Sequence, residues 1–149
     1  MEILLDEDVY GNTIFHELAE AGSRSLLERF ARHKRDEFEP IIRQRNMYGE
    51  SCVHVAAKTQ TGPRAKTVMK LLKELGADLS ATFNSWTVLH IAVQREEYEL
   101  TRWLCYQNGV DKRAKNPDGL TAYEMACAMN NKKMIDLLKQ YKADVQPAD

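Results

Sequence analysis

The chain has 149 residues, a length for one domain, and 44% of them are hydrophobic, which allows a sizeable core and argues against wholesale disorder. Its 21 Lys and Arg balance 22 Asp and Glu at a net charge of −1, which supplies no long-range attraction to nucleic acid or an anionic membrane. No apolar run approaches the roughly 20 residues of a membrane span, and the acidic opening MEILLDEDVY lacks the basic flank and apolar length of a signal peptide.

From the N-terminus, residues 1–23 carry six acids (Glu2, Asp6, Glu7, Asp8, Glu17, Glu20) and no Lys or Arg, and residues 24–45 then carry seven bases against four acids. Such runs are ordinarily solvated helix faces; an acidic opening also suits a basic partner. At Gly11 begins the first of four stretches that align without gaps: GNTIFHELA, then GESCVHVAA from Gly49, SWTVLHIAV from Ser85 and GLTAYEMAC from Gly119, spaced 38, 36 and 34 residues apart. A hydroxyl recurs at Thr13, Ser51, Thr87 and Thr121, a bulky apolar or aromatic residue at Phe15, Val53, Leu89 and Tyr123, and a polar residue at His16, His54, His90 and Glu124.

Each stretch is followed by an apolar stripe of helical period. The stripes are Leu26, Leu27 and Phe30; Val68, Leu71, Leu72 and Leu75; Leu100, Trp103 and Leu104; and Met134, Leu137, Leu138 and Tyr141. Second helices are thus predicted to begin near Leu26, Val68, Leu100 and Met134. The extra residues of repeat two fall around TQTGP, where Gly62-Pro63 is expected to break the chain between helices. Repeat one is longer after its second helix, so Phe38 to Ile42, with Pro40, must form an extended loop or an extra turn. Gly76 and Gly109 suit left-handed helix C-caps; with Lys142 they mark a turn every 33 residues.

These residue types point to structure more than to chemistry. Ala19, Ala56, Ala92 and Ala126 let first helices approach closely, and each Thr or Ser hydroxyl with its His is placed to tie a hairpin to a helix start. His16, His54 and His90 are therefore read as structural, since repeats hold equivalent residues apart and no metal spacing is met. His16-Glu17-Leu18-Ala19-Glu20 ends in Glu where a zinc protease motif needs His, and no nucleophile elbow, phosphate loop or kinase signature occurs. The three cysteines, Cys52, Cys105 and Cys127, are too few and too odd for a disulfide framework and suggest a reducing intracellular compartment. They are read as small core residues, as is Trp103 on its stripe. The expectation is a binding protein and not an enzyme, with no catalytic residue, metal or cofactor.

The repeat resembles that of the ankyrin family, Gly-x-Thr-Pro-Leu-His-x-Ala-Ala followed by an amphipathic helix and Gly-Ala-Asp, and the 33-residue step is the ankyrin period. The Pro is absent throughout, Ser85 replaces a Gly and Glu124 a His. The resemblance implies an all-α solenoid of about four stacked helix-turn-helix repeats with β-hairpin fingers, at approximately 8–45, 46–81, 82–115 and 116–145, in a single domain spanning 1–149. It also implies that each His bridges to the neighbouring repeat. A narrower likeness is to the inhibitors of NF-κB: Tyr48 to Ala56 places Cys52 ahead of Val53-His54 as they do, and Gly119 to Ala126 resembles their terminal repeat.

The whole chain is similar to the short IκB-like viral ankyrins (vankyrins) of polydnaviruses. That likeness implies a constitutive inhibitor of a host Rel protein, working in the cytoplasm of an infected cell and in its nucleus, without direct contact to nucleic acid, membrane or a small-molecule substrate. No Asp-Ser-Gly-x-x-Ser degron occurs, and the short flanks leave no room for an acidic Pro/Ser/Thr-rich tail. In the family the partner's basic nuclear-import segment meets the first repeats. The candidate contact residues are Asp6, Glu7, Asp8, Tyr10, Asn12, Glu17, Tyr48, Glu50, Trp86 and Asp118. The competing readings are a four-repeat ankyrin inhibitor of cyclin-dependent kinases and an ankyrin adaptor, as for a ubiquitin ligase.

Overall fold

A computed structural model of the chain describes residues 9–33, 36, 38–107 and 110–140. The chain divides into two compact units, residues 1–79 and 80–149. All regular elements among the described residues are helices, and the hairpins between them are tight turns, with one isolated antiparallel bridge between Phe83 and Trp86. No described helix is long and apolar enough to cross a membrane.

Unit 1 contains α1 (Ile14–Ala21), α2 (Arg24–Arg32), α3 (Phe38–Ile42), α4 (Cys52–Thr59) and α5 (Gly62–Glu74). First helices α1 and α4 pack together, as do second helices α2 and α5. Phe15, Phe30 and Phe38 meet edge to face with ring centroids 5.6–5.8 Å apart, an arrangement the aromatic quadrupole favours, and so lock α1, α2 and α3 together. The stretch after α2 is thus a short helix, with Phe38, Ile41 and Ile42 buried. Arg43 Nε donates to the Gly76 carbonyl at 2.9 Å, tying the end of α3 to the turn after α5.

Gly62 and Pro63 do not separate helices; they begin α5, with Pro at the first turn. Pro lacks an amide hydrogen, which the first helical turn does not need. Arg24, Gly62, Tyr98 and Lys132 all start second helices at one offset from Gly11, Gly49, Ser85 and Gly119, earlier than the stripes suggested, and the insertion lengthens α5 to 13 residues where the others have 9. Leu26, placed on the stripe of α2, is 40% exposed, while Leu27 and Phe30 carry the buried face.

Val68, Leu71, Leu72 and Leu75 are all buried. Helix α5 closes with a Schellman turn: the Ala77 amide donates to Leu72 and that of Gly76, at φ +109°, to Lys73, both at 3.0 Å.

Unit 2 contains α6 (Val88–Gln94), α7 (Tyr98–Tyr106), α8 (Ala122–Ala128) and α9 (Lys132–Gln140). Again first helices α6 and α8 pack together, and α7 lies against α9. Leu100, Leu104, Met134, Leu137 and Leu138 are buried as their stripes predict, but Trp103 is only half-buried. Tyr141, Lys142 and Gly109 lie outside the described residues.

The four alanines Ala19, Ala56, Ala92 and Ala126 are fully buried, as close approach of the first helices requires. Cys52 and Cys105 are buried, and burial raises their thiols to about 12 and about 11. Cys127 departs from the core reading: it is exposed, because the last turn of α8 leaves its outer side to solvent.

A candidate protein-binding groove

The recurrent hydroxyl–His pair forms a clasp at the starts of α1, α4 and α6. The Thr13 amide donates to His16 Nδ1 at 3.0 Å, so Nε2 carries the proton and donates to the Glu50 carbonyl at 2.8 Å. Ser51 Oγ lies 2.7 Å from His54 Nδ1. Thr87 Oγ1 accepts from the His90 amide at 3.2 Å and lies 2.8 Å from its Nδ1, while Nε2 donates to the Leu120 carbonyl at 2.9 Å. His16 and His90 therefore bridge from one repeat to the next, as the resemblance implied. Burial depresses the basicity of His90 despite the favourable Leu120 carbonyl. In the last repeat Glu124 stands where the others have His, and the clasp closes as a capping box at the start of α8. Glu124 accepts from the Thr121 amide at 3.0 Å while Thr121 Oγ1 accepts from the Glu124 amide at 3.2 Å, and hydrogen bonds from the Thr121 amide and side chain hold its carboxyl below the usual range.

In unit 1 these clasps present adjoining hairpins. The Met47 amide donates to the Tyr10 carbonyl at 2.7 Å, and the Tyr10 and Tyr48 rings stack at 6.2 Å and 22°. They are 50% and 57% exposed beside Met47 at 66%. Behind them lies a groove of about 360 Å³ lined by residues that include Tyr10, Asn12, Glu20, Tyr48, Glu50 and Lys58.

Asn46 organises its floor. Its Oδ1 accepts the amides of Tyr48 and Glu50, at 3.0 and 2.9 Å, and its Nδ2 donates to Asn12 Oδ1 at 3.0 Å and to Glu50 at 3.1 Å. Burial alone would raise the Glu50 carboxyl; its bonds to Lys58 and Asn46 hold it below the ordinary value. Glu50 thus serves the hairpin from a buried position. Glu17 is exposed on the first turn of α1, and Glu20 is exposed near its end.

The structure gathers Tyr10, Asn12, Tyr48 and Glu50 in this groove, and Glu17 stands on the first turn of α1 without lining it. Trp86 and Asp118 belong to unit 2. Trp86 is half-buried, edge-on to His90 at 6.1 Å, and Asp118 is exposed at the last hairpin. Asp6, Glu7 and Asp8 lie outside the described residues. No cluster of three or more His, Cys, Asp or Glu among the described residues could hold a metal ion.

Sequence reasoning missed Asn46, Lys58 and Gln60. Asn46 had a signal, since it stands three residues before Gly49 as Asn116 does before Gly119, and Asn116 Oδ1 likewise accepts the amides of Asp118 and Leu120, both at 3.0 Å. Gln60 had none. Its Nε2 crosses to the carbonyls of Ala19 and Glu20, at 2.9 and 2.8 Å, satisfying the end of α1.

Paired helices opened by these clasps, with a short hairpin ahead of each pair, define an ankyrin-repeat protein, a class built for protein interaction. The profile described as ankyrin repeats in three copies matches residues 66–149. The chain is 35% identical over 137 residues to "I-kappa-B like protein N2" of Microplitis demolitor bracovirus (isolate Webb), covering 89% of this chain and 75% of that protein. It is 32% identical over 141 residues to "I-Kappa-B like protein H1" of the same virus, covering 93% and 73%. It is 31% identical over 149 residues to that virus's "I-Kappa-B like protein N3", covering 95% and 91%. The chain belongs to this family of I-kappa-B like ankyrin-repeat proteins.

Proposed function

We propose that the chain is a protein-binding inhibitor that sequesters a host NF-κB/Rel transcription factor, and that the groove of unit 1 receives a basic segment of that partner. The observation that carries the reading is the exposed Tyr10–Tyr48 stack in a groove that the exposed carboxylate of Glu20 also lines, with Glu17 exposed earlier on the same helix. Tyrosine faces attract Lys and Arg, and the carboxylates add on-rate and orientation. The names of the viral relatives support the choice of partner. Work in the host cytoplasm and nucleus, suppression of immune signalling, and constitutive action follow from the same reading. The absence of an Asp-Ser-Gly-x-x-Ser sequence from these 149 residues supports the last.

The test is a competition gel shift with the recombinant chain and a host Rel dimer. The chain should displace Rel from its DNA, and Tyr10→Ala with Tyr48→Ala should weaken that effect by about tenfold or more, as loss of interface aromatics does. Replacing Asp6, Glu7 and Asp8 with Asn, Gln and Asn should slow association at low salt and leave the melting temperature unchanged. Failure of the folded chain to bind any host Rel dimer would remove the reading. A cycloheximide chase after immune stimulation should leave the chain intact; signal-induced loss would remove the constitutive part alone.

A further inference from the structure

The side-by-side helices α2 and α5 give unit 1 a second face, chemically opposite to its groove. Arg24, Arg29, Arg32, Arg64, Lys70 and Lys73 are exposed on these helices, whose acids are Glu28 and Glu74 alone. Glu28 is already met by Arg24 at 2.7 Å. The chain as a whole carries a charge of −1, so this face concentrates positive charge against the balance of the molecule. Between the helices runs a groove of about 300 Å³ lined by Glu28, Ala31, Arg32, Leu71 and Glu74, with Ala31 and Leu71 as its apolar residues.

We propose that this outer face of unit 1 is a second interaction surface that takes an acidic polypeptide segment anchored by an apolar side chain. Arginine forks and lysine ammoniums pair with carboxylates, and the Ala31–Leu71 groove gives one apolar side chain a place to leave water. The same residues suit other polyanions less well. Neither helix exposes an aromatic ring, so unpaired bases find no stacking platform. One exposed leucine, Leu26, is too little to anchor a helix in lipid. The near-neutral chain adds no long-range pull towards a densely charged polymer. The surface is separate from the groove of Tyr10 and Tyr48, so a Rel inhibitor could hold a second protein.

Fluorescence anisotropy of the full chain tests this with a labelled dodecapeptide of Asp and Glu carrying one central Leu. Saturable binding should weaken as salt rises and by about tenfold on combining Arg29→Glu, Arg32→Glu and Lys70→Glu, since each exposed pair contributes little alone. Glu28→Gln with Glu74→Gln should tighten it severalfold, a gain that misfolding cannot mimic. Tyr10→Ala with Tyr48→Ala should leave it unchanged, which separates this surface from the Rel reading. Binding indifferent to both sets of charge changes would overturn the proposal. Equal binding of a peptide without the Leu would overturn the apolar anchor. Tighter binding of a DNA duplex or of phosphatidylserine vesicles would overturn the polypeptide assignment.

Discussion

Ser85 holds a backbone conformation suited to glycine. At φ +68°, after Asn84 at +50°, it closes a two-residue hairpin between Phe83 and Trp86, where the other repeats place Gly11, Gly49 and Gly119 at +77° to +83°. An L side chain there costs about 1 kcal/mol. Ser85→Gly should raise stability by about that amount in urea denaturation, and a loss would show that the serine contributes contacts that outweigh its strain. His90 makes a second residue-scale prediction. Its folded form resists protonation, whereas the unfolded side chain titrates at the ordinary value of 6.5. Above that pH both states are neutral and the contribution is complete; as pH falls through it the unfolded state gains the proton first and stability declines. Glu50 and Glu124, both lowered, extend the loss below 4.5. The drop in urea midpoint from pH 7.5 to 5.5 should be smaller in His90→Asn than in the parent, and equal drops would clear His90 of the effect. The hydroxyl–His clasps were readable from sequence because their partners lie three residues apart. The reach of Gln60 to α1 was not, since nothing local distinguishes a buried cross-repeat glutamine from a solvated one.

At the scale of elements, apolar spacing identified every second helix, and burial of Val68, Leu71, Leu72 and Leu75 agrees with it. Leu72 is fully buried on α5, so Leu72→Ala should cost on the order of 2–5 kcal/mol; a loss below about 1 kcal/mol would contradict its place in the core. What spacing could not decide was where helix α5 starts. Gly-Pro serves equally as a break between helices and as a first helical turn, and the choice falls to the partners of the surrounding backbone. Here Gln60 leaves the helical path, satisfies α1 with its side chain, and frees Thr61 to start the longer helix. Gln60→Ala should therefore cost about 1–3 kcal/mol by exposing unsatisfied carbonyls to a buried site, a far larger effect than removal of a surface glutamine. A loss under 0.5 kcal/mol, read by chemical denaturation, would mean that water replaces the amide.

For the whole molecule, the expectation of a single domain has a direct consequence. A chain that folds as one unit should lose near-UV and far-UV circular dichroism in one coincident transition. Two resolved transitions would mean that residues 1–79 and 80–149 fold separately. Class and family were readable at this scale because four imperfect copies in register reinforce one another, while Tyr10, Asn12 and Tyr48 were brought together only by two hairpins separated in sequence lying side by side.

The cysteines allow those transitions to be followed without altering the chain. Cys127 is open to reagents in the native protein, whereas Cys52 and Cys105 are buried and, with thiols raised to about 12 and about 11, scarcely ionise at neutral pH. A maleimide dye should label one site per native molecule and three per unfolded one. Cys52 lies in the first unit and Cys105 in the second, so peptide mapping after brief pulses of dye in rising urea would time the opening of each half.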